Sequence, residues 1–161
     1  MKFAQALSIL SKSSPYAVST EREHYQDHLV GFKRYIYITT DIEADFNKAL
    51  LSAKSNQVIF LCGSSGDGKS EILTQYSQKH KVTHDFHLDA THSFNPSQTA
   101  IQALDQRFTQ FKQSHKPLVV GINVGMLGNY AEEGSKEHSD IKKELRDFLS
   151  RKRSAIPKQY V

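Results

Sequence analysis

The residues Gly63-Ser64-Ser65-Gly66-Asp67-Gly68-Lys69-Ser70 satisfy the pattern G-x-x-x-x-G-K-[ST] at every defining position. Glycines let successive backbone N–H groups curl around an anion without a Cβ in the way. A lysine after the last glycine reaches the β- and γ-phosphate oxygens, and the hydroxyl that follows ligates magnesium. The pattern therefore implies a nucleoside triphosphate held by Gly63, Ser64, Ser65, Gly66, Asp67, Gly68, Lys69, Ser70 and Glu71. Lys69 is the candidate catalytic cation and Ser70 a candidate magnesium ligand. The flanks agree with this assignment. An apolar run, Val58–Cys62, leads in, and Glu71–Tyr76 leads out with helical spacing, which is the strand–loop–helix order the motif requires. A helix starting there adds its dipole and unpaired N–H groups to the same place.

Phosphoryl transfer needs more than a cradle. It also needs a carboxylate on the metal side, a group that orients the attacking nucleophile, and an arginine or its equivalent. Asp89, after Phe86-His87-Leu88, is the candidate metal-side carboxylate; the competing reading is a turn or cap residue before Thr91-His92-Ser93. Asn123, at the end of an apolar run, is a candidate polar sensor of the phosphate, or else a turn residue beside Gly125. Glu132, with Glu133, is a candidate water-orienting acid in a glycine-bounded loop, or else a solvated surface acid. His84, His87 and His92 raise a metal site, but strand alternation is read as putting His84 and His87 together, opposite Asp85, with no third ligand. Tyr16, Tyr35 and Tyr37 lie upstream, where an adenine-stacking ring or a packed core ring are both open readings.

These residues need a scaffold to bring them together. Phe3, Ala6, Leu7 and Leu10 have helical spacing, and the polar stretch 11–25 with Pro15 reads as a loop. Residues 34–39 are rich in aromatic and β-branched side chains and predict a strand. Thr40 and Glu43 have capping-box spacing for a helix with Ile42, Phe46, Ala49 and Leu50 on its buried face. A second strand is expected over 85–89. Asn95-Pro96-Ser97-Gln98 predicts a helix start, with Ile101, Leu104, Phe108 and Phe111 buried. The run 117–123 has the continuous apolar character of a strand buried on both faces. Gly125, Gly128 and Gly134 predict a loop before a last helix from Ser139 to Arg151. The expected fold is α/β: a P-loop NTPase-like three-layer sandwich with a mainly parallel sheet, an N-terminal portion of the complete fold. Residues 1–33 form a leading helix and loop, and 34–161 the core. In such sheets ligands bind outside the carboxyl ends of the strands, so the loops after Cys62, Asp89 and Asn123 should line one crevice.

Composition narrows the class. The chain has 161 residues, 38% hydrophobic and 24% charged, which suits one globular unit rather than a disordered segment. No apolar stretch has the length of a membrane span, so a cytoplasmic protein without membrane contact is expected. The single cysteine, Cys62, leaves no intramolecular disulfide and no cysteine-based zinc site. A formal net charge of +4 is compatible with nucleic acid nearby. Lys142, Lys143, Arg146, Arg151, Lys152 and Arg153 form the densest basic cluster, read either as a solvated helix face or as a phosphate-backbone contact.

Four strings carry a family resemblance: LSILSKSSPYAVSTERE at 7–23, FLCGSSGDGKSEI at 60–72, and the pair HLDATHSFNPSQTAIQAL and PLVVGINVGMLGNYAEEG. Together they resemble the N-terminal part of the DptF (DndF) family, the ATPases of DNA phosphorothioation-dependent restriction systems. The resemblance implies an ATP- and Mg2+-dependent component working with the other subunits of a restriction complex, on DNA directly or through those partners, with homo-oligomers an open possibility. It carries the phosphate loop over residue by residue and assigns nothing to Asp89, Asn123 or Glu132. Family members are several times longer than this chain, which reads as an N-terminal portion, so little ATP hydrolysis is expected from it alone. A non-hydrolysing nucleotide-binding docking module and a small nucleoside or metabolite kinase are the competing readings; the kinase lacks an arginine-rich lid.

Overall fold

The computed structural model describes Tyr35 and residues 37–64, 66–91 and 97–150. The expected N-terminal helix and loop, Tyr16, Ser65, His92, the Asn95-Pro96 pair and the tail from Arg151 onward lie outside the described residues. The order is α1 (Asp41–Ser52), β1 (Val58–Gly63), α2 (Lys69–His80), β2 (Asp85–His87), α3 (Ala100–Gln113), β3 (Leu118–Asn123), α4 (Val124–Glu133), a 3-10 turn (Lys136–His138) and α5 (Ser139–Leu149). This is an α/β architecture with a three-stranded parallel sheet in the order β1-β3-β2.

The strand order dictates where the helices go. The chain steps from β1 past the β3 position to β2, then back to β3. Right-handed crossovers in opposite directions place the connecting helices on opposite faces. Accordingly α1 and α2 cover one face through Phe46, Leu50, Ile72, Leu73 and Tyr76, packed on Ile59, Leu61 and Val119. The helices α3, α4 and α5 cover the other, on Val58, Leu118, Val120 and Ile122. β3 lies between both neighbours, and its first five residues are buried, as the continuous apolar run requires. No helix among the described residues is long and apolar enough to cross a membrane.

Several sequence expectations are corrected. Residues 37–39 join no strand; instead the Tyr37 hydroxyl folds onto α1 and donates to Glu43 Oε2 at 2.6 Å. Thr40 does cap α1, accepting from Glu43 N at 3.3 Å. The Glu43 carboxylate is occupied by Tyr37 and also by Tyr76 rather than returning to the cap. The buried stripe of α1 is therefore Glu43, Phe46 and Leu50, and Ile42 faces solvent. β2 stops at His87, two residues early, because Asp89 leaves the ladder to bond Thr91. The chain stays beside β3 all the same, with Ala90 N donating to Gly121 O at 2.9 Å. α3 starts later than expected. Thr99 caps it through a reciprocal box with Gln102, while Ser97 and Gln98 lie in a turn before it.

The largest correction is α4, a helix where glycines predicted a loop. Asn123 accepts from Met126 N at 2.7 Å and opens it. Met126, Leu127, Tyr130 and Ala131 are all buried. The Tyr130 ring lies 5.2 Å from that of Phe108, and its hydroxyl donates to Asp105 Oδ1 at 2.7 Å. Gly125 and Gly128 together cost the helix about 2 kcal/mol, while each large buried side chain contributes about 1.5–3 kcal/mol. Packing wins.

Gly121 is a close approach that the sequence did not single out. A Cβ there would lie 2.4 Å from the Leu88 carbonyl oxygen and 2.3 Å from Leu73 Cδ1. The leucine can yield, but the carbonyl belongs to backbone held beside β3 by the Ala90 N–Gly121 O hydrogen bond. Gly121→Ala should lower stability by about 1–3 kcal/mol through overpacking. Gly128→Ala, with nothing within 4 Å of the new methyl, should raise it by about 1 kcal/mol through helix propensity. Urea unfolding of both variants checks the pair, and equal effects would contradict this packing.

Candidate functional site

β1 and β3 are paired in register from Val58↔Leu118 to Gly63↔Asn123. Their following helices leave for opposite faces, α2 to one and α4 to the other. A crevice opens at such a divergence, outside the carboxyl ends of the strands. The segment 63–70 enters it from β1, and Asn123 stands opposite.

Backbone conformation in the loop follows from its glycines. Gly66 has φ +83° and Gly68 has φ +86°, a left-handed region that side chains with a Cβ rarely occupy. Gly68 is also the N-cap of α2 and supplies no side-chain cap, so the first-turn N–H groups depend on other acceptors. Lys69 curls back over the loop. Its ammonium donates to Ser64 O at 2.6 Å and to Asp67 Oδ1 at 3.0 Å, and its backbone N–H donates to the same carboxylate oxygen at 3.2 Å. Burial alone would raise the Asp67 carboxyl, but the hydrogen bonds and charge of Lys69 outweigh it and hold it below the usual carboxylate range. Burial pushes the Cys62 thiol up, with Lys69 opposing. Ser70 is half-buried in the first turn of α2, and Glu71 beside it accepts from Gln75.

The other candidates separate. Asp89 is exposed at the carboxyl end of β2, about 10 Å from the axis of β1 with β3 between them. Its Oδ1 accepts from Thr91 N at 2.9 Å and from the Thr91 hydroxyl at 2.6 Å, a local turn. Asn123 spends its side-chain oxygen on capping α4. Glu132 is not in a loop. It sits near the far end of α4, about 13 Å along the helix from Asn123, paired with Arg146 Nε at 3.3 Å. Gly63, Ser64, Gly66, Asp67, Gly68, Lys69 and Ser70 thus lie with Asn123 at the carboxyl ends of β1 and β3, Asp89 follows β2 at the same end of the sheet, and Glu132 lies away from it.

The basic cluster is corrected as well. Lys142 is buried and donates to Glu132 O and Gly134 O, where it neutralises the carboxyl end of α4. Lys143 and Arg146 remain exposed on α5. Tyr35 is 87% exposed, and Tyr37 is committed to Glu43. His84 and His87 do not share a face. His84 packs its ring near Phe86 on the α2 side and bonds Leu50 O at 3.1 Å. His87 belongs with Asp85 on the α3 side, because side chains alternate along a strand. Arg107 of α3 was not anticipated; it donates to Phe86 O at 2.9 Å and brings positive charge to His87. Its position on a mixed polar helix face gave no signal beyond ordinary amphipathicity.

Comparison of the chain with protein-family models, curated proteins and solved structures finds no match.

Burial, and then the charge of Arg107, depress His87 from 6.5 to about 4, with Asp89 opposing. Burial lowers His84 in the same direction. The unfolded chain takes up these protons first, so their contribution is complete above about pH 6.5 and is lost as pH falls toward 4. Stability should drop by up to about 3 kcal/mol across that window from His87 alone. Urea midpoints measured from pH 7 to 4.5 should fall less steeply for His87→Leu than for the wild type. An unchanged slope would contradict a neutral, buried His87.

Proposed function

We propose that this chain binds a nucleoside triphosphate with magnesium through Gly63–Ser70, as a P-loop module. The observation that carries the reading is the joint one: the full motif lies between β1 and α2 at the diverging crevice, with both internal glycines in the left-handed conformation. The residues fit the ligand's chemistry. The glycines keep Cβ atoms out of the cradle, Lys69 supplies the cation, and the Ser70 hydroxyl begins the helix. Ser70 and Asp89 would hold magnesium, which supplies charge neutralisation on the phosphate oxygens. Asn123, at the register position opposite Gly63, is the polar group facing the same opening.

On the family resemblance, the nucleotide is ATP, and the module is part of a cytoplasmic DNA phosphorothioation-dependent restriction complex in which other subunits complete the site. A non-hydrolysing docking module is the second reading. Asp89 serves a local turn, Asn123 caps α4 and Glu132 lies away from the crevice, which favours it. In either case Lys69→Ala should weaken Mg·ATP and Mg·ADP binding at least about tenfold while the fold is kept, since charged hydrogen bonds to phosphate are among the strong ones. Titration calorimetry decides, and equal affinities would remove the phosphate-loop assignment.

Turnover by this chain alone should be slow. Among the described residues the two arginines are engaged elsewhere, Arg107 with Phe86 O and Arg146 with Glu132. An arginine finger is worth roughly three to five orders of magnitude in related chemistry. A steady-state phosphate-release assay should therefore show little activity above a Lys69→Ala background, and a robust Lys69-dependent rate would mean that Asp89 or Asn123 already completes the site.

A further inference from the structure

A carboxylate stands inside the phosphate loop. A Cβ built on Gly63 would lie 1.8 Å from Asp67 Oδ2, so the acid fills the space that the first glycine of the motif leaves open. The same carboxylate takes the Lys69 backbone N–H and the Lys69 ammonium, and a backbone hydrogen bond from Ser64. These are donors of the kind an incoming phosphate needs: loop amides, the first-turn amide of α2 and the lysine cation. The ion pair is partly shielded, with the lysine side chain 16% and the aspartate 36% exposed. An acid is a poor choice for a loop that binds polyanions unless it leaves when they arrive.

We propose that Asp67 is an internal competitor for the anion site: its carboxylate closes the loop on Lys69 and must swing out before a phosphate chain can enter. The inference rests on the nucleotide reading above and adds a regulation of that site. Two costs oppose the ligand. The Asp67–Lys69 contact must break, and the displaced carboxylate then repels the bound phosphates. A single dianion such as inorganic phosphate recovers little of this, whereas a di- or triphosphate reaches more donors at once. The loop is thereby selective for phosphate chains. Any event that draws Asp67 outward, such as a basic side chain from a partner subunit, would raise affinity without touching the nucleotide.

The test uses the full chain with Asp67→Ala and the isosteric Asp67→Asn, each checked for folding by circular dichroism. Calorimetry with Mg·ADP and with magnesium pyrophosphate should give affinities about two- to fivefold tighter than wild type in both variants, the range expected for releasing a partly exposed ion pair. A second readout needs no nucleotide. Acylation of Lys69 in the ligand-free protein, followed by peptide mass spectrometry, should be several-fold faster in both variants. Tighter binding with unchanged Lys69 reactivity would reduce Asp67 to a distant charge and overturn the proposal. Wild-type binding that the variants leave equal or weaken would overturn it as well. Failure of all proteins to bind either ligand would remove the nucleotide reading itself, and the competitor with it.

Discussion

Everything in this molecule hangs on β3. It is hydrogen-bonded to a neighbour on each side and covered on each face, so the sheet exists only if Leu118–Ile122 can be buried without exception. Gly121 is the point where that condition is tightest. The Leu88 carbonyl and the Leu73 side chain approach the strand within a distance no Cβ would allow. Through Leu73 the helix α2 is seated, and through Leu88 the path of the chain toward Asp89 is fixed. The close approach of backbone to backbone thus keeps the chain after β2 beside β3, where Ala90 N donates to Gly121 O.

The order β1-β3-β2 then shapes that edge. Helices leaving adjacent strands on opposite faces create an opening, and helix N-termini supply N–H groups aimed into it. The polar residues at the opening are largely occupied by one another. Lys69 holds Ser64 and Asp67, Asn123 holds Met126, and Asp89 holds Thr91. The loop has satisfied its donors internally, which avoids the cost of leaving them unpaired.

The far side of the sheet shows the same economy in a different form. The carboxyl end of α4 leaves carbonyls that need donors, and Lys142 reaches them from α5. Lys112 ties α3 to the turn and to Asp140. Basic residues that looked available for nucleic acid are thus partly consumed in joining helices. Their sequence spacing did not reveal this, because carbonyl acceptors have no sequence signature.

Local chemistry was legible from the residues alone. The strand before and the helix after the glycine-rich turn, the apolar run of β3, the cap of α1 by Thr40 and the stripe Leu104, Phe108 and Phe111 follow from periodicity and from backbone demands carried within a few residues. What failed did so where distant partners outweighed local preference. Gly125 and Gly128 weaken a helix, yet Tyr130 finds Asp105 and Phe108 across the core and the helix forms. Glu43 has the spacing of a cap residue, yet two tyrosines capture it. Asp67 reads as one more residue of a loop pattern, and only folding shows its carboxylate turned inward onto Lys69. Sequence determined where the backbone could turn through left-handed glycines after β1; tertiary structure decided which side chains fill that turn, because long-range hydrogen bonds and packing are set by the path of the whole chain.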